Sequence, residues 1–238
     1  MLKHLAAAMI ACTALIAGTA FADEASIKKA VEAIFPGAKV DSVKKTTYLG
    51  LYEVRAGGEL IYTDEKVTYI ITGDIIQAKT KKNLTQERIN KLSQINFADL
   101  PLDLAVKQVR GSGKRVIATF EDPNCGYCKK LAKDMQSMND VTIYTFLYPI
   151  LSPDSTEKSK AIWCSADRVK AWNDWMVNGV SPTGKTDCNA PIEKVVEIGQ
   201  RLNIRGTPTI FLSNGSRLPG AVPLARLEQE MASAAAGK

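Results

Sequence analysis

Val116–Ile117–Ala118–Thr119–Phe120–Glu121–Asp122–Pro123–Asn124–Cys125–Gly126–Tyr127–Cys128–Lys129–Lys130–Leu131 is the stretch that decides the reading of this chain. Its β-branched and aromatic start predicts a buried strand. A polar turn follows, then a helix from about Cys125 to Met138. Cys125 therefore falls where unpaired backbone N–H groups and the positive end of the helix dipole favour a thiolate, the nucleophilic form of cysteine. Cys128 comes about one helical turn later and faces the same side, more deeply buried. Such a pair can close to a disulfide, open to a dithiol, or let Cys128 resolve a mixed disulfide held on Cys125.

Other chemistries compete for this motif. A zinc knuckle would need Cys164 and Cys188 as the remaining ligands, and those two are not spaced as a chelating pair. A purely structural disulfide is a second option. Haem attachment needs histidine after the second cysteine, and Lys129 stands there.

The start of the chain decides which redox rules apply. Met1–Leu2–Lys3–His4 is short and positive, Leu5 to Ala20 is almost wholly apolar or small, and Ala20–Phe21–Ala22 fits a cleavage site. This predicts a signal peptide over 1–22, a mature chain from Asp23 to Lys238, and export to an oxidising compartment. The single histidine of the sequence, His4, leaves with that peptide, as does Cys12. Mechanisms that need an imidazole are thereby excluded from the mature chain. Cys125, Cys128, Cys164 and Cys188 remain. The net charge of +6 is spread without a Lys/Arg block and reads as solvated surface, not as a nucleic-acid site.

The organisation predicted is α+β in two parts. Residues 23–82 form a small leading unit: a helix over Ser26 to Ile34, then an antiparallel meander over Leu51 to Ala56, Leu60 to Thr63, Val67 to Thr72 and Ile75 to Lys79. At about 60 residues it is marginal as a lone monomer, and a partner chain would relieve that. Residues 83–100 read as a linker helix. Residues 101–238 alternate strands and helices: strands at Arg115 to Phe120, Val141 to Tyr148 and Thr209 to Leu212, and helices over Ser155 to Asn178, Pro191 to Leu202 and Leu224 to Ala235.

Gly206–Thr207–Pro208 precedes an apolar strand. Its proline is tolerated at a strand start and can be cis. Packed against the cysteines, this loop would offer the Thr207 backbone to an extended substrate chain. Pairing Cys164 with Cys188 would close about 25 residues and contribute about 3.5 kcal/mol on the loop-entropy model, so a structural bridge is favoured over a second redox pair. Trp163, Trp172 and Trp175 read as core rather than a ligand cage. Glu121 and Asp122 could tune Cys125, but the sequence does not place them.

Taken together, Cys125–Gly126–Tyr127–Cys128 with Lys130–Leu131, Ala161–Ile162–Trp163–Cys164, Gly206–Thr207–Pro208 and Leu212–Ser213–Asn214–Gly215 resemble the DsbC/DsbG family of periplasmic thiol:disulfide isomerases. The resemblance is strongest from Val116 onward. It implies a homodimer joined through the N-terminal domains and a thioredoxin-like catalytic domain with a helical insertion over 101–238; no cofactor and no metal are expected. It also implies chaperone activity, misfolded disulfide-containing proteins as substrates, and recharging by the membrane reductant DsbD. Residue by residue, Cys125 matches the nucleophile, Cys128 the resolving cysteine, Thr207–Pro208 the cis-proline loop, and Cys164 with Cys188 the structural bridge. Gly126–Tyr127 matches the isomerase branch, and Lys129 departs from relatives that often carry histidine. The function expected is disulfide isomerase and reductase; the alternatives are a chaperone or a thiol oxidase in which isomerisation is secondary.

Overall fold

The computed structural model describes Asp23–Ala236, so the predicted signal peptide lies outside the described residues. The described chain forms two compact units, divided in sequence between Gly73 and Asp74.

In the first unit, α1 (Glu24–Ile34) begins where the Asp23 carboxylate accepts the Ser26 N–H. Ile27 and Val31 make its buried stripe. It covers an antiparallel sheet in the order β1 (Val40–Lys45), β2 (Tyr52–Ala56), β3 (Glu59–Thr63), β4 (Ile70–Ile71). Ile27, Val31, Val40, Val43, Tyr52 and Val54 form the core.

Two expectations change here. β1 was not visible in the sequence because its buried residues, Val40 and Val43, are out of the two-residue period. A register shift between Val40 and Ser42 puts both on the inner face. The strand expected over Val67 to Thr72 shrinks to Ile70–Ile71. Val67 has a φ of 54°, and the Asp64 carboxylate takes the N–H groups of Thr68 and Tyr69 into a turn instead.

The second unit opens with a two-residue ladder of β5 (Ile76–Gln77) and β6 (Lys82–Asn83). The expected strand Ile75 to Lys79 thus does not extend the meander. α2 (Leu84–Leu92) follows, capped by Asn83 accepting the Gln86 N–H. After it the Ile95 N–H donates to the Gly215 carbonyl, and Gln94 Nε2 donates to that of Asn214. A Cβ on Gly215 would run into the Ile95 carbonyl, so this contact requires glycine.

The main sheet contains β7 (Val106–Arg110), β8 (Arg115–Glu121), β9 (Val141–Leu147), β10 (Thr209–Leu212) and β11 (Arg217–Pro219), in the order β11-β10-β8-β9-β7. β8 and β9 are parallel and joined through α3 (Gly126–Asp134), so the chain leaves β8 at the carboxyl end of the sheet. β7 escaped the sequence reading: it is a charged edge strand whose Val109 is exposed.

One sheet face packs Ile117, Ile143 and Ile210 against Leu131 of α3 and Leu227 and Met231 of α7 (Leu224–Ala236). The other packs Phe120, Phe146 and Phe211 against Val195 and Ile198 of α6 (Ile192–Arg201). Phe120 stacks on Phe146 at 4.5 Å between centroids and meets Phe211 edge-on. Truncating such a ring to alanine costs about 3–5 kcal/mol.

The helical stretch expected over Ser155 to Asn178 is two helices, α4 (Pro153–Trp163) and α5 (Arg168–Met176). Ser152 caps α4 with Pro153 in its first turn, and Asp167 caps α5 by accepting the Lys170 N–H.

Candidate active site

Cys125 is the N-cap of α3, in extended backbone with φ −74° and ψ 118°, and no side chain caps the helix there. The first N–H groups of α3 thus lie next to Cys125 with no side-chain acceptor from it. Cys128, in the first turn, is 0% exposed, against 6% for Cys125 and 70% for Tyr127 between them. Both cysteines are free thiols and pack with Leu147, Ile162 and Trp172. Burial pushes the Cys128 thiol well above the usual cysteine range, with further contributions from the charges of Glu121 and Cys125.

Asp122 fixes the turn ahead of the helix. It is wholly buried, yet its carboxylate accepts N–H groups from Asn124 at 2.7 Å, Ile150 at 2.8 Å and Leu151 at 2.9 Å, while its carbonyl accepts that of Cys125 at 3.0 Å. One side chain thereby ties the turn before Cys125 to the loop after β9. Asn124 Nδ2 reaches across to Asp154 Oδ2 at 2.7 Å and Ser155 Oγ at 3.1 Å. Trp175 Nε1 donates to the Pro123 carbonyl at 2.6 Å.

The neighbouring charge is positive. Lys129 Nζ sits 3.7 Å from the Trp175 ring centroid and Lys158 Nζ 4.9 Å from it. Burial, then the charges of Lys158 and Lys133, hold the Lys129 ammonium below the usual lysine range.

The Thr207–Pro208 loop lies alongside. The Thr207–Pro208 peptide bond is cis, and the Thr207 carbonyl oxygen is 3.3 Å from Cys125 Sγ. Thr209 Oγ1 donates to the Gly206 carbonyl at 3.0 Å and braces the loop. Cys164 and Cys188 are joined in a disulfide with a Cα–Cα distance of 5.7 Å. That bridge holds the end of α4 to the loop before α6 and takes both sulfurs that a four-cysteine metal site would require. Trp163 and Trp172 are core residues, as expected.

Of the residues singled out in sequence, Cys125, Cys128, Thr207 and Pro208 come together, with Gly126 and Tyr127 on the rim. Sequence reasoning missed Asn124 and the anchoring part of Trp175. The Asp–Pro–Asn turn signal pointed at Asn124; no local pattern marks Trp175, because its acceptor lies 52 positions away.

Known proteins match along most of the chain. A family described as thioredoxin-like domain matches residues 102–235, and one described as disulfide bond isomerase protein N-terminal domain matches residues 18–86. A probable thiol:disulfide interchange protein DsbC of Bordetella parapertussis is 50% identical over 206 residues, covering 87% of this chain and 73% of the relative. The thiol:disulfide interchange protein DsbC of Escherichia coli K12 is 29% identical over 217 residues, 88% of each chain. A crystal structure of a disulfide interchange protein from Neisseria gonorrhoeae superimposes with a TM-score of 0.55 at 40% identity, covering 56% of this chain and 97% of that one.

Proposed function

The chain belongs to the DsbC family of thiol:disulfide interchange proteins, and from that premise we propose that it is a periplasmic disulfide isomerase and reductase acting on misfolded secreted proteins. The observation that carries this reading is the position of Cys125. It caps a helix, Cys128 is shielded behind it, and the Thr207 carbonyl lies alongside. In this reading Cys125 attacks a wrong disulfide and Cys128 resolves the mixed disulfide. Gly126, Tyr127 and the Thr207–Pro208 loop line the approach of the substrate chain, and Cys164–Cys188 is structural.

Three parts carry the proposed organisation: an N-terminal dimerisation domain over 23–82, a linker over 83–100 and a catalytic domain over 101–238. A homodimer would set two such sites to work on one substrate. In an oxidising compartment the pair does not stay reduced unaided, so the proposal includes a membrane reductant of the DsbD kind, and an exported chain whose signal peptide is removed. Chaperone activity accompanies the isomerase.

Refolding of a scrambled multi-disulfide protein, with and without a thiol reductant, tests the proposal. Native activity should return only with the reduced protein and be lost in Cys125→Ser. Oxidation of reduced substrate without repair of the scrambled one would make it a thiol oxidase instead.

A further inference from the structure

Two ammonium groups share one indole beside the reactive cysteine. Lys129 Nζ lies 3.7 Å and Lys158 Nζ 4.9 Å from the centroid of the Trp175 ring. A ring attracts a cation, but two cations on one ring repel each other. Lys158 is relieved by Asp154, with which it forms an ion pair across one turn of α4. Lys129 has no carboxylate partner among the described residues. The acids of the surrounding helices are taken: Asp134 of α3 pairs with Lys130, Glu157 of α4 with Lys160 and Asp174 of α5 with Lys170. Burial, then the like charges of Lys158 and Lys133, disfavours the Lys129 ammonium. An anion placed there would relieve a repulsion that the fold itself leaves standing.

Three contacts fix this cluster to the Cys125 turn. The Lys129 N–H donates to the Cys125 carbonyl at 3.0 Å, so the two residues stand one turn apart on one side of α3. Trp175 Nε1 donates at 2.6 Å to the carbonyl of Pro123, two residues before Cys125. Asn124 Nδ2 donates to Asp154 Oδ2, the same oxygen that pairs with Lys158. Lys129, Trp175 and Lys158 are each half-buried, so the cluster stays open to solvent. An extended chain advances about 3.3 Å per residue, and one helical turn rises about 5.4 Å. A side chain one or two residues from a substrate cysteine held on Cys125 therefore comes within reach of the Lys129 ammonium.

We propose that Lys129, held on Trp175 beside Lys158, selects disulfides flanked by acidic residues, by pairing with a carboxylate next to the cysteine that Cys125 attacks. The recognised chemistry is an Asp or Glu side chain of the substrate itself. The proposal rests on the reading of Cys125 as nucleophile. The exchange at sulfur is unaltered: the Cys125 thiolate bonds to one substrate sulfur, the substrate disulfide breaks, and the other sulfur leaves as a thiolate. Lys129 acts on capture, through complementary charge at the encounter. A disulfide with neutral flanks gains nothing from it, and one flanked by lysine is opposed.

Quenched-flow mixing of the reduced chain with symmetric peptide disulfides tests this, the cysteine being flanked on both sides by Glu, by Gln or by Lys. Release of the first peptide thiol reports attack by Cys125, and release of the second reports closure by Cys128. Dividing each rate by that of dithiothreitol with the same peptide removes differences in intrinsic reactivity. At about pH 7 and low salt the first phase of the parent should be at least roughly fivefold faster with Glu than with Lys, and the ratio should shrink in about 0.5 M salt. Lys129→Gln should lower that ratio at least about threefold and leave the Gln peptide unchanged, and Lys129→Glu should invert it. Lys114→Gln removes an equal charge just before β8, at the opposite end of that strand, and should keep the parental ratio. A parent without preference overturns the proposal, as does a parental ratio in Lys129→Gln. Equal slowing of all three peptides in Lys129→Gln overturns it too, because the lysine would then act on the sulfur and not on the substrate's charge. An equal loss of preference in Lys114→Gln would reduce the effect to net charge and overturn it likewise. Cys125→Ser addresses the underlying reading separately: if it keeps a first phase of parental rate, the nucleophile is misassigned whatever Lys129 does.

Discussion

The Cys125 thiol donates to the Thr207 carbonyl oxygen at 3.3 Å, joining residues 82 positions apart. This contact directs the sulfur toward the loop and the solvent edge, while Cys128 stays behind it with no exposed surface. An incoming disulfide meets Cys125 first, and Cys128 can act only after a mixed disulfide has formed.

That order of access predicts the labelling pattern. Brief alkylation of the reduced protein should modify Cys125 and leave Cys128 intact, because burial both hides the Cys128 thiol and disfavours its thiolate. Cys128→Ser should trap substrates covalently on Cys125, whereas Cys125→Ser should trap none. Peptide mapping of the adduct decides the matter, and a modified Cys128 beside an unmodified Cys125 would reverse the assignment.

Glu121 predicts a dependence of stability on pH. Its carboxyl titrates at about 7 in the folded chain against an ordinary value of 4.5, so the folded state holds the proton more tightly than the unfolded one. The stabilisation is full below about 4.5 and is lost as pH rises through about 7, a change of roughly 3 kcal/mol. Urea unfolding of the parent at pH values spanning that window should show the decline, and Glu121→Gln should lack it. An identical decline in the variant would place its source elsewhere.

Asp122→Ala should destabilise by roughly 2–4 kcal/mol, because the N–H groups of Asn124, Ile150 and Leu151 lose a charged acceptor together. The turn that holds Cys125 should loosen with it, so attack on a model disulfide should slow. A urea midpoint equal to that of the parent would show that water or another group replaces the carboxylate.

Replacing Cys164 and Cys188 together by alanine should cost about 3.5 kcal/mol of stability on the loop-entropy model while leaving both phases of thiol exchange in place. Loss of the exchange phases in a folded variant would make the bridge part of the redox machinery.

Light scattering should report a dimer for the chain from Asp23 onward and a monomer for one beginning near Pro101. Leu49, Tyr69 and Ile71 of the small unit are exposed at 81%, 70% and 41%, more apolar surface than so small a unit keeps to itself. A monomer at micromolar concentration for the longer chain would refute the dimer.

Much of this was legible in sequence, for reasons that are local. A β-branched run, a polar turn and cysteines one helical turn apart specify a strand, a loop and a helix N-terminus through short-range preferences alone, and Cys125 and Cys128 follow from them. Helices with a clean apolar stripe, such as α6, were equally plain. Only the tertiary structure decided the rest. β1 hid behind a bulge, and β7 behind the polar composition of an edge strand; both are strands because a neighbour supplies their hydrogen bonds. Glu121 and Asp122 are adjacent acids in the sequence with nothing to distinguish them. Folding alternates them onto different surroundings: Asp122 meets three backbone N–H groups, and Glu121 meets none under the C-x-x-C turn. Electrostatics depends on distance and solvation, and both are fixed by contacts between segments far apart in the chain.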